Sequence, residues 1–176
     1  MHQLKCFITE FANDTARRKI PYLVKWVREN FGADKGVFFP RMLCVMDALE
    51  ACLADMKVKT VRIDGGTPVA KRQPMIDALK EGDAQAGILS FSACGTGLTL
   101  CPGVWRMFFT DMNWSPAGFQ QAEDRAHRIG ATRPVECFYL VASDGYDYDM
   151  LQILQRKSTV NAAVLDDAKS SFLFEE

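Results

Sequence analysis

The chain has 176 residues, 48% of them hydrophobic and 24% charged, with a formal net charge of −1 at pH 7. That length and apolar content fit one compact domain with a sizeable core. The balanced charge gives no global basic signature, so any polyanion has to be met by a local patch of cations. Cysteines at 6, 44, 52, 94, 101 and 137 form no CxxC pair and are accompanied by only two histidines, which argues against a zinc site or any other metal centre. They read as reduced, mostly buried thiols. The N-terminal MHQLKCFITEF lacks the long apolar run of a signal peptide, and no apolar run is long enough to cross a bilayer. The expectation is a soluble intracellular protein without a membrane partner.

Residues 1–13 are a lead-in to which the pattern assigns no structure. From Asp14 the apolar residues Ile20, Leu23, Val24, Val27 and Phe31 recur at three and four positions, and Gly32 ends the run. Pro21 lies inside this pattern, so regular helix is expected to begin there, leaving Arg17, Arg18 and Lys19 as a solvated basic triplet. Contact with DNA, or a weak import signal, is the sharper reading of the same triplet. Gly36–Phe39 is a short buried strand, and residues 41–54 form a helix with Met42, Val45, Met46, Leu49 and Leu53 on its core side. Val58–Ile63, Ala86–Ser90, Val104–Thr110 and Val135–Val141 are the remaining strands. Helices over Lys71–Leu79, from Pro116 onward and over 144–160 separate or follow them.

Short, continuously apolar strands alternating with helices predict a doubly wound α/β fold, a parallel sheet covered on both faces. No linker or internal repeat divides residues 14–165, which are expected to be one domain. Residues 166–176 are a tail whose Phe172, Leu173 and Phe174 either hang loose or tuck against the domain.

In such a fold ligands gather at the carboxyl ends of the strands. Three loops belong there. Asp64-Gly65-Gly66-Thr67-Pro68, with Arg72 on the following helix, offers backbone N–H groups, a hydroxyl and a cation to phosphate; it is equally a plain turn with Thr67 capping the helix. The loop Ser92–Gly97 carries Ser92, Gly95 and Gly97, whose small size either admits a close backbone or only permits a tight turn. The third, Asp111–Pro116, leads into a helix expected to start with Ser115 as N-cap and Pro116 at its first position, and to stop at Gly130. On that helix Phe119, Ala122, Ala126 and Ile129 form an apolar stripe, while Gln121, Arg125 and Arg128 share another face. Two forked guanidiniums on one rigid face suit a polyphosphate; pairing with Glu123, Asp124 or solvent is the ordinary alternative.

The segment QAEDRAHRIG resembles motif VI of superfamily 2 helicases, in the form of the Swi/Snf-type DNA-dependent ATPases. RIDGGTPVAKRQ, LSFSACGTGLTL, FFTDMNWSP and FYLVASDGYDYDMLQILQRK resemble, in order, further segments of the C-terminal RecA-like lobe of that family. The LTL and QAEDRAHRIG wording and the ending QRKSTVNAAVLDD are similar to the annealing-helicase branch. Departures occur at Ala131, where the family commonly reads RIGQ, at Ser115 in place of the Asn of WNP, at Cys101-Pro102-Gly103, and at Pro40-Arg41. The resemblance implies that Arg125 and Arg128 are catalytic arginine fingers that face the bound nucleotide together with Gln121. It also implies that Thr67, Arg72, Ser92, Gly95 and Gly97 line a track for one DNA strand, mainly through phosphate.

No GxxxxGK[ST] loop and no Asp-Glu box occurs in the chain. By the resemblance, ATP and Mg²⁺ would be shared with an ATP-binding RecA-like first lobe that this sequence lacks, and the chain alone should not hydrolyse ATP. The expected function is therefore the second motor lobe of a DNA translocase or annealing helicase, nuclear if eukaryotic. Two alternatives stay open: a non-catalytic DNA- or protein-binding module derived from that lobe, and an unrelated doubly wound enzyme that binds a small phosphorylated ligand at Ser92–Gly97. The latter would have to draw its acid, base or nucleophile from Asp64, Asp111 or Cys94.

Overall fold

The computed structural model describes residues 2–91, 98–113, 115–127 and 133–165, with side chains from Ile8 to Lys157. In chain order the elements are α1 (His2–Asn30), β1 (Gly36–Phe39), α2 (Leu43–Asp55), β2 (Thr60–Ile63), α3 (Val69–Lys80), β3 (Ala86–Leu89), β4 (Arg106–Phe109), α4 (Pro116–Glu123), β5 (Glu136–Tyr139) and α5 (Gly145–Leu165). The strands form one sheet in the order β2-β3-β1-β4-β5, every adjacent pair parallel. This is the expected doubly wound α/β architecture: parallel neighbours require crossovers, and the helices that make them cover both faces.

Register explains the core. Phe38 lies opposite Phe108, and Phe108 opposite Phe138; one position on, Phe39, Phe109 and Tyr139 are likewise aligned. Successive side chains of a strand point to opposite faces, so the two rows form separate ladders. The first stacks at centroid distances of 4.7 and 5.1 Å and packs with Leu23 and Val27 of α1, Phe31 just after it, and Val45, Met46, Leu49 and Leu53 of α2. The second stacks at 5.1 and 4.8 Å and packs with Ile76 and Leu79 of α3, Phe119 and Ala122 of α4, and Met150 and Leu154 of α5.

The structure corrects two expected helix boundaries. α1 does not begin at Pro21 but continues back to His2, with Pro21 inside it and exposed. Proline there removes one helical hydrogen bond, but the carbonyl it strands can be met by water, and tertiary contacts secure the turn before it. The Thr15 hydroxyl accepts from the Tyr146 N–H at 3.1 Å. Lys19 is only 8% exposed; it donates to the Leu140 carbonyl at 3.1 Å and pairs with Asp147. Lys19 is thus not part of a solvated triplet, whereas Arg17 and Arg18 are exposed and Arg18 pairs with Asp14 on its own helix. The second correction is α4, which ends at Glu123 rather than running on to Gly130. Of the thiols, Cys52 and Cys101 are buried, Cys44 is half-buried, and Cys137 is exposed on the edge strand β5.

Candidate functional site

The strand-end loops converge on one edge of the sheet. At the end of β2, Asp64 organises its own turn: its side chain accepts from the Gly66 N–H at 2.9 Å, and its carbonyl accepts from the Thr67 N–H at 3.2 Å. The Thr67 hydroxyl accepts from the Asp64 N–H at 3.0 Å and so closes the turn on itself instead of capping α3, whose N-cap position is Pro68. Burial works against the Asp64 carboxylate, but the Gly66 N–H, the Thr67 hydroxyl and nearby Arg62 outweigh it and hold its carboxyl below the usual range. Arg72 braces the turn from within. It is buried, and it donates through Nε to the Thr67 carbonyl at 3.0 Å and through a terminal nitrogen to the Asp64 carbonyl at 3.4 Å.

α4 leaves the end of β4 with Ser115 in extended conformation and Pro116 at the helix start; the Ser115 side chain makes no capping bond. Phe119, Ala122 and Ala126 are buried, as the apolar stripe requires. After Glu123 the chain tightens into a turn: the Arg125 N–H reaches the Ala122 carbonyl at 3.0 Å and the Ala126 N–H the Glu123 carbonyl at 3.0 Å. The Arg125 carbonyl accepts from both Leu100 and Cys101 N–H groups, at 2.8 and 3.2 Å, which fastens this turn to the segment that follows residues 92–97. The Arg125 side chain is half-buried, and its Nε is buried without a hydrogen-bond partner among the described residues. Gln121 is exposed on the same helix.

Thr67 and Arg72 are therefore brought together at the end of β2, and Gln121 and Arg125 lie beyond β4. Ser92, Gly95, Gly97 and Arg128 lie outside the described residues, as do Cys94, Trp114, Ile129, Gly130, Ala131 and the tail 166–176. Between the two groups, at the end of central strand β1, stands a polar cluster that the spacing arguments did not assemble. The Arg41 N–H donates to Asp111 at 2.8 Å, and the Arg41 guanidinium donates to the Tyr146 hydroxyl at 3.1 Å. Burial pushes the Asp111 carboxyl above its usual range, against the pull of Lys19 and the Arg41 N–H. Likewise unforeseen is the hydrogen bond from the Tyr139 hydroxyl to the Glu123 carboxylate. Nothing in the linear sequence pairs Tyr139 with Glu123; the β4–β5 register sets Tyr139 beside Phe109, and Phe119 of α4 packs on its ring. Among the described residues no group of three or more His, Cys, Asp or Glu side chains could hold a metal ion, and no helix is long and apolar enough to cross a membrane.

Residues 18–130 match the family described as the helicase conserved C-terminal domain. Over 159 residues the chain is 34% identical to the SWI/SNF-related matrix-associated actin-dependent regulator of chromatin subfamily A-like protein 1 of Drosophila melanogaster, covering 90% of this chain and 20% of that protein. It is 31% identical over 172 residues to the DNA annealing helicase and endonuclease ZRANB3 of Bos taurus, covering 96% of this chain and 16% of that one. It thus spans a fifth or less of the length of these relatives. In three dimensions it is similar to the crystal structure of the C-terminal part of the Fun30 ATPase domain, with a TM-score of 0.66 and 30% identity over 78% of this chain and 44% of the other. Its parallel five-stranded sheet is that of the RecA-like C-terminal lobe, and the chain belongs to the helicase conserved C-terminal domain family in its SWI/SNF-related form.

Proposed function

We propose that the chain is the second motor lobe of a Swi/Snf-type DNA translocase or annealing helicase, closing on an ATP-loaded first lobe and supplying arginine fingers. One observation carries this reading: among the described residues nothing bonds the buried Arg125 Nε, which rides on a turn whose backbone is clamped by Leu100 and Cys101. A buried guanidinium N–H left unsatisfied costs free energy, and an incoming phosphate oxygen would relieve it. Arg125 therefore supports the substrate-facing role, with Arg128 three residues on and Gln121 one helical turn earlier as its companions. ATP would bring the phosphoryl group to be transferred, with Mg²⁺ held by the first lobe. The part left to this chain is to place fixed positive charge where charge accumulates during transfer.

The DNA side would be the Thr67 turn, braced by Arg72, together with Ser92, Gly95 and Gly97. Small residues and backbone N–H groups there suit phosphate contacts indifferent to base sequence. Action in the nucleus accords with the chromatin regulator among the relatives.

The test is DNA-stimulated ATP hydrolysis by the chain alone and by the chain joined to an ATP-binding first lobe of a Swi/Snf-type relative. Hydrolysis is expected only in the joined protein, and Arg125→Ala or Arg128→Ala should lower kcat by about 10³-fold or more. Full activity of Arg125→Ala would refute the arginine-finger role. Absence of hydrolysis from lobes that demonstrably associate would leave a non-catalytic DNA- or protein-binding module as the better reading.

A further inference from the structure

Tyr139 and Glu123 belong to different elements, yet the Tyr139 hydroxyl donates to the Glu123 carboxylate. Both ends of this bond are well anchored. The Tyr139 ring stacks on Phe109 at 4.8 Å and meets Phe119 of α4 edge-on at 5.5 Å, so the phenol is aimed by the aromatic ladder beneath the helix. Glu123 is the last residue of α4, and its carbonyl accepts from the N–H groups of Ala126 and His127 at 3.0 and 2.9 Å. Those two bonds curl the turn on which Arg125 rides. Leu100 and Cys101 hold the far side of the same turn through the Arg125 carbonyl. Glu123 is thus tied at its side chain to the sheet and at its backbone to the arginine turn.

We propose that Tyr139 is a positioning residue for Arg125: its hydroxyl, acting through Glu123, fixes the end of α4 and so the direction in which the guanidinium meets a nucleotide phosphate. The inference rests on the second-lobe reading above and names a residue of β5 that touches neither nucleotide nor DNA. Burial, and then the neighbouring Glu123 carboxylate, raise the Tyr139 phenol well above its usual range, so the hydroxyl remains a donor throughout the working pH range. Misplacing a charge by a fraction of an ångström costs rate without loosening substrate binding that is provided elsewhere.

The test joins the chain to an ATP-binding first lobe and compares Tyr139→Phe, which keeps the ring and removes only the hydroxyl, with Glu123→Ala, Glu123→Gln, the Tyr139→Phe/Glu123→Ala double variant and Arg125→Ala. Tyr139→Phe is expected to lower kcat about tenfold with KM for ATP changed less than about twofold. Glu123→Ala should match it, the double variant should fall no further, and Glu123→Gln, which retains an acceptor oxygen, should fall less. A second readout needs no nucleotide: amide hydrogen exchange in the chain itself. The Ala126 and His127 amides should exchange about tenfold faster in Tyr139→Phe while β1 keeps its protection. Unchanged kcat and unchanged exchange in Tyr139→Phe, with Arg125→Ala inactive, would overturn this proposal alone. Undiminished hydrolysis by Arg125→Ala would overturn the arginine reading and this proposal together.

Discussion

Two buried carboxylates face one buried lysine at the carboxyl edge of the sheet. Lys19 pairs with Asp147 and bonds the Leu140 carbonyl, while Asp111 takes the Arg41 N–H and, at 3.4 Å, the Thr110 hydroxyl. Asp147 also accepts from the Ala142 N–H at 3.2 Å and pairs with the lysine directly, whereas the donors that reach Asp111, the Arg41 and Met42 N–H groups and the Thr110 hydroxyl, are neutral. Asp111 carries the surplus charge. Burial raises its folded-state carboxyl above the unfolded value near 3.8, and Asp147 adds to the rise, so the folded state binds a proton there more readily than the unfolded chain does. Linkage then fixes the sign: stability associated with this group falls as pH climbs from about 3.8 through the folded-state value. Asp111→Asn keeps an oxygen for the Arg41 N–H and leaves Lys19 balanced by Asp147. The variant should therefore gain on the wild type as pH rises from 4 to 7, measured by urea unfolding at each pH. A variant that instead loses ground with rising pH would show that Lys19 and the backbone donors outweigh burial.

At the scale of elements, α4 shows what packing adds to propensity. Gly118, in its middle, approaches the preceding loop so closely that a Cβ would sit 2.9 Å from Asn113 Nδ2 and 3.1 Å from the Phe91 ring. Alanine in a helix interior is favoured over glycine by about 1 kcal/mol. Here Phe91 is held against Phe109 and Phe119 at 6.3 and 5.2 Å and cannot give way. Gly118→Ala should thus be net destabilising, by about 1–2 kcal/mol, seen as a lower Tm in calorimetry. The same helix marks the limit of what the sequence made legible. Its start at Pro116 and its buried stripe at Phe119, Ala122 and Ala126 followed from spacing, as did the existence of all five strands. Its end did not, because the chain leaves the helix where Leu100 and Cys101, from the far side of β4, capture the Arg125 carbonyl. For the same reason the start of α1 escapes the sequence: local proline chemistry points to Pro21, and the ties from Thr15 and Lys19 to α5 and its approach decide otherwise. Arg125 and Thr67 are legible as site candidates because each lies inside its own contiguous motif; Tyr139 is not, because the packing of β5 beneath α4 delivers it to Glu123.

For the molecule as a whole, strand order divides the carboxyl edge that carries the candidate site. β2 and β3, on one side of central β1, end in the Thr67 turn and the segment that begins at Phe91; β4, on the other side, leads to α4 and Arg125. Leu100 and Cys101 connect these halves, because they follow the β3 loop and bond the arginine turn. With a net charge of −1 the chain has no net positive charge to draw in DNA, so under the proposed function any affinity for it has to rest on a few local contacts. Duplex DNA binding by the chain, followed by fluorescence anisotropy across salt concentrations, should therefore be weak and should show a shallow slope in log K against log salt. Thr67→Ala should weaken it without altering that slope, since a hydroxyl releases no counterion. Arg72 separates two physical roles. Its donors are spent on the Thr67 and Asp64 carbonyls inside the turn, so Arg72→Ala should lower affinity more than Thr67→Ala does, by collapsing the turn, and again leave the slope in place. A slope reduced by about 0.9 in Arg72→Ala would instead mean that its guanidinium reaches a phosphate directly, and that the bonds within the turn give way when DNA arrives.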